Sequence, residues 1–70
     1  MNIKMYEGRY GYEKFLDNYV SAKGKEINII PSKSDFIFYG NIMYRVLYKL
    51  IDIDNNECDV FVVRASEEEF

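Results

Sequence analysis

The sequence predicts an α+β domain in which one N-terminal amphipathic helix packs on a curved, four-stranded antiparallel meander. Two observations lead there: a stripe of apolar residues at helical spacing from Tyr12 to Val20, and a series of strand-length apolar runs separated by turn residues.

Before the helix, Gly8 and Gly11 bracket Arg9-Tyr10 as a turning or flexible entry. Tyr12, Phe15, Leu16, Tyr19 and Val20 then fall at i, i+3, i+4, i+7 and i+8, while Glu13, Lys14, Asp17, Asn18 and Ser21 occupy the opposite side. Gly24 is placed to end the helix after Ala22-Lys23.

The first strand is expected over residues 26–30, ended by Pro31-Ser32-Lys33-Ser34. The second covers residues 35–39, and Gly40-Asn41 has the chemistry of a two-residue hairpin leading into a third strand over residues 42–53. Asp54-Asn55-Asn56-Glu57 is the clearest turn, because asparagine tolerates positive φ, and the last strand follows over residues 58–64. Residues 65–70 form an acidic tail on this single domain.

In the long third strand both alternations are substantially apolar: Ile42, Tyr44, Val46, Tyr48 and Leu50 at even positions, Met43, Arg45, Leu47, Lys49, Ile51 and Ile53 at odd ones. A sheet with one wet face alternates more cleanly. Either the sheet coils into a small SH3-like barrel, or the helix covers one face and a second subunit the other.

Seventy residues support one small core, which typically supplies only about 3–5 kcal/mol without a disulfide, metal or partner. Cys58 is the only cysteine and histidine is absent, so neither an intramolecular disulfide nor an ordinary zinc ligand set is expected, and self-association is the remaining staple. No stretch approaches the roughly 18 apolar residues of a membrane span. The N-terminal residues lack an apolar signal region. With a lone thiol that suits a reducing compartment, these features predict a cytoplasmic protein without membrane contact.

The net charge of −3 conceals two halves: residues 1–51 carry eight Lys/Arg against five Asp/Glu, residues 52–70 one against seven. Ile, Lys, Asn, Tyr and Phe supply 32 residues, the bias of AT-rich coding sequence, which points to a low-GC bacterium or its phage.

No catalytic set is legible. Without histidine, nucleophilic chemistry would rest on Cys58, whose neighbour Asp59 raises a thiol pKa instead of activating it. Asp52, Asp54 and Asn56 begin like a calcium loop, but Glu57 stands where the loop needs glycine and Val63 where it needs a bidentate Glu. No glycine-rich phosphate loop is present either, so no cofactor is expected.

The surplus is aromatic: twelve Tyr and Phe. The expected function is a non-enzymatic, acidic protein-binding module, a phage or mobile-element inhibitor or regulator of a host protein. Asp52, Asp54, Glu57 and Asp59 with Tyr44 and Tyr48 form its expected partner-binding residues, and a homodimer is a further expectation. The alternative is a small single-strand-binding protein that stacks bases on Tyr44 and Tyr48 and holds phosphates with Arg45 and Lys49. The acidic balance places nucleic acid second.

Overall fold

The structure, a computed structural model, describes residues 2–18 and 31–66. Five strands form one sheet: β1 (Asn2–Glu7), β2 (Lys14–Asn18), β3 (Phe36–Tyr39), β4 (Ile42–Asp52) and β5 (Glu57–Arg64). Their order is β2-β1-β5-β4-β3, antiparallel throughout except for β1 and β5, which run parallel.

The predicted fold class is therefore corrected. The described residues contain no helix, and in place of a helix-covered antiparallel meander or an SH3-like barrel the sheet is a curled, mixed half-barrel. Of the expected helix, residues 14–18 are strand β2. Residues 19–24, the strand expected over 26–30 and Glu67-Glu68-Glu69 lie outside the described residues.

Two β-bulges give the physical reason for the misreadings. Along β1 and β2, Met5 faces Asp17 and Tyr6 faces Phe15, so Leu16 is the extra residue. It packs against the core while its neighbour Phe15 meets Tyr6 on the other side of the sheet. Two adjacent large apolar residues with work on both faces imitate a helical stripe. An isolated helix of this length would be marginal, and pairing with β1 satisfies the same backbone groups.

In β4 the register shifts between Val46, opposite Val62, and Tyr48, opposite Phe61, which leaves Leu47 as the extra residue. Before the bulge, Tyr44 and Val46 face the core; after it, Lys49 and Ile51 take that side, opposite Val60 and Cys58. Both alternations of β4 look apolar because the strand changes phase halfway.

The core lies on the inner face of the curl, where Ile3, Met5, Tyr44, Val46, Cys58, Val60 and Val62 pack together. Leu16, Ile37, Tyr39 and Ile42 close on it from the edge strands and the start of β4. The Tyr39 hydroxyl of β3 donates to the Asp17 carboxylate of β2, so a side-chain hydrogen bond ties the two ends of the sheet order.

Both predicted hairpins are present. Tyr39 pairs with Ile42 across Gly40-Asn41, whose φ values of 57° and 64° define a type I′ turn with the hand that suits twisted strands. The β4–β5 turn closes from Asp52 to Glu57, with Asn56 at φ 55°.

Candidate partner-binding face

The outer face is built by alternation. Tyr48, Leu50 and Asp52 of β4 share it with Glu57, Asp59 and Phe61 of β5 and with Lys4 and Tyr6 of β1, because each set is in register with the next. Its middle is an aromatic ladder that crosses four strands at one level. Tyr48 pairs with Phe61, Phe61 with Tyr6, and Tyr6 with Phe15, at ring separations of 5.1, 5.5 and 5.6 Å.

Phe61, at the centre, is fully buried although it lies on the face away from the core. The loop after β1 covers it. Gly8 turns there at φ 108°, and its N–H donates to the Val62 carbonyl at 2.8 Å. Tyr10 then packs edge-on to Phe61, and its N–H donates to the Tyr48 hydroxyl oxygen at 2.7 Å.

Towards the β4–β5 turn the same face becomes acidic. The Asp52 carboxylate accepts the Asn55 side-chain N–H at 2.8 Å and its backbone N–H at 3.2 Å, and these bonds hold its pKa below the ordinary carboxylate value. Glu57 forms an ion pair with Lys4 at 3.3 Å, which pushes the Lys4 ammonium pKa up. Asp59 stands on β5 opposite Lys4, two residues from Glu57, with one carboxylate oxygen buried and without a hydrogen-bond partner among the described residues. Burial first, and the charge of Glu57 second, push its pKa up.

The expected site residues are thus distributed unequally. Tyr48, Asp52, Glu57 and Asp59 share the outer face, and Asp54 is exposed at the turn. Tyr44 does not join them: it is 3 % exposed in the inner core, on the other side of the bulge. Lys49 also faces inward, whereas Arg45 lies with Tyr48 on the outer side, so the four residues of the single-strand-binding alternative do not share a face.

Tyr6, Phe15, Phe61 and Lys4 were missed as parts of this surface. For β1 the signal was present in the alternation Ile3-Lys4-Met5-Tyr6, which places two apolar residues on one side and Lys4 and Tyr6 on the other.

Cys58 is buried in the core, and burial pushes its thiol pKa up, the opposite direction from an activated nucleophile. Among the described residues, no three His, Cys, Asp or Glu side chains are placed to hold a metal ion. No helix among them is long and apolar enough to cross a membrane. No protein-family model, curated protein or solved structure matches the chain.

Proposed function

We propose that this chain is a non-enzymatic protein-binding module that engages a basic surface of its partner through the acidic end of the outer face. The observation that supports this reading is the regular β4–β5 register from Tyr48 to Asp52, which puts Tyr48 and Asp52 on one face with Glu57 and Asp59. A ring edged by carboxylates suits a protein contact, where Tyr is enriched and charge complementarity steers association. It suits nucleic acid poorly, because phosphates would meet like charge. The small size and the composition fit an inhibitor or regulator of a host protein encoded by a phage or mobile element.

The test is affinity capture from a low-GC bacterial lysate with the wild-type chain and with a variant carrying Asp52, Asp54, Glu57 and Asp59 all changed to Ser. Circular dichroism serves to establish that the variant is folded. The expected result is a captured protein that is lost with the variant and released by rising salt. Undiminished capture by the folded variant would sink the acidic contact, and oligonucleotide binding at physiological salt would favour the nucleic-acid alternative.

A further inference from the structure

Among the described residues, the strand at one side of the sheet order is unprotected. β3 reads Phe-Ile-Phe-Tyr and carries no charge and no proline, whereas β2 at the other side carries Lys14 and Asp17. An uncharged, uncovered edge strand is a template for another strand. Among the described residues β3 pairs with β4 alone. Its outward rings stand in solvent, Phe36 at 61 % and Phe38 at 68 % exposure, and Met43, opposite Phe38 on β4, is exposed beside them.

The register says which backbone groups are available. In a two-residue hairpin the closing pair, here Tyr39 and Ile42, exchanges both hydrogen bonds, and alternation gives the next exchange to Ile37 and Tyr44. The N–H and C=O groups of Phe36 and Phe38 therefore point away from β4, along the open edge.

We propose that β3 is a self-association edge, where two copies of this chain pair β3 with β3, antiparallel, about a twofold axis through Ile37. In that register Phe36 lies opposite the partner's Phe38 and Phe38 opposite the partner's Phe36. The pairing uses the outward backbone groups of all four residues, and the four rings meet on one continuous outer face. A shift by one residue puts the rings on opposite faces and leaves them in water.

Charge also favours a second copy. β3 itself is neutral, so identical edges approach without repulsion. The twofold axis sends the two acidic β4–β5 turns to opposite ends of the dimer, which separates the groups behind most of the net charge of −3. The exposed parts of Phe36, Phe38 and Met43 amount to roughly 700 Å² over two copies on the area scale of large side chains. Rings side by side on one face cover only part of this area, so the contact stays below the about 1,000 Å² that marks the smallest specific interfaces. The dimer is accordingly weak and forms at high micromolar concentration, and it is independent of the acidic contact proposed above.

Sedimentation equilibrium from low micromolar to millimolar protein tests this. The wild-type mass is expected to rise from monomer towards dimer. Phe38→Pro, which removes an outward N–H and a solvent-facing ring, is expected to stay monomeric, and F36K/F38K, which changes only solvent-facing rings, serves the same purpose if the proline variant does not fold. A strict wild-type monomer at millimolar concentration would overturn the proposal and leave the edge to a strand from another protein. Association undiminished in the folded variants would overturn it as well. Register is read by oxidation: a mixture of F36C and F38C chains is expected to form far more disulfide-linked dimer than either alone, since a hydrogen-bonded antiparallel pair lies within disulfide reach. Equal cross-linking in the mixture and in the separate chains would overturn the register.

Discussion

Phe61 is the residue on which the outer face is built. It joins three tyrosines, Tyr6, Tyr10 and Tyr48, around one buried ring on a central strand. Phe61→Ala removes those contacts and opens a cavity, at a cost of about 3–5 kcal/mol. A core of this size supplies about the same amount in total, so the variant is expected to be largely unfolded at 25 °C by circular dichroism and to lack a cooperative urea transition. Asp59 works in the opposite direction. Its folded pKa lies above the ordinary 3.8, so between those two values the folded state holds more protons than the unfolded one, and stability falls as pH rises through that interval. Asp52 has the reverse sign: its pKa is lowered, and its contribution is present above 3.8 and lost as pH falls through the folded value. Asp59→Asn is therefore expected to raise the urea midpoint at pH 7 and to leave a pH–stability curve that keeps the rise below 3.8 given by Asp52 and loses the fall above 3.8 given by Asp59. An unchanged midpoint at neutral pH would mean that the buried oxygen is solvated in solution.

At the scale of elements, what could be read from the sequence was whatever kept its period or its turn chemistry. The Gly40-Asn41 hairpin, the turn before Glu57 and the limits of β3, β4 and β5 to within one or two residues followed from turn residues between apolar runs. What failed were the segments where a bulge breaks the period of two. Leu16 made a strand resemble a helix, and Leu47 made one strand resemble two apolar faces, which placed Tyr44 and Tyr48 together when they stand on opposite sides. A bulge is fixed by the partner strand, and its position is not written in the local sequence. Deleting Leu47 tests this directly. Without it, Val46 opposite Val62 and Tyr48 opposite Phe61 become consecutive pairs in regular alternation, so Tyr48, Leu50 and Asp52 stay outward, only the buried Leu47 side chain is lost, and the variant is expected to keep a folded NMR spectrum with its Tyr48–Phe61 contact. A deletion variant that does not fold, or that folds without its Tyr48–Phe61 contact, would show that the curl of the sheet requires the bulge itself.

For the whole molecule the decisive pairing is the least local one. β1 lies parallel to β5, with Asn2 opposite Glu57 and Glu7 opposite Val62, so the two strands most distant in sequence sit side by side in the middle of the sheet. Parallel neighbours need a long crossover, and nothing in residues 1–10 announces which strand they will join. That is why residues 2–7, to which the sequence reading gives no strand, prove to be a core wall. Ile3 and Met5 cover one side of β5 and Tyr6 the other, and β2 is attached to the sheet through β1 alone among the described strands. Removing residues 1–7 therefore takes away both faces at once, along with the anchor for β2. Cys58, opposite Ile3 in the core, gives the readout. In the intact chain its thiol is expected to react with an aromatic disulfide reagent only as fast as the protein opens globally, since burial both hides it and raises its pKa. In the truncated chain it is expected to react at the rate of an unfolded thiol, with no further acceleration in urea. Slow, urea-dependent labelling after truncation would mean that β3, β4 and β5 stand without the parallel strand.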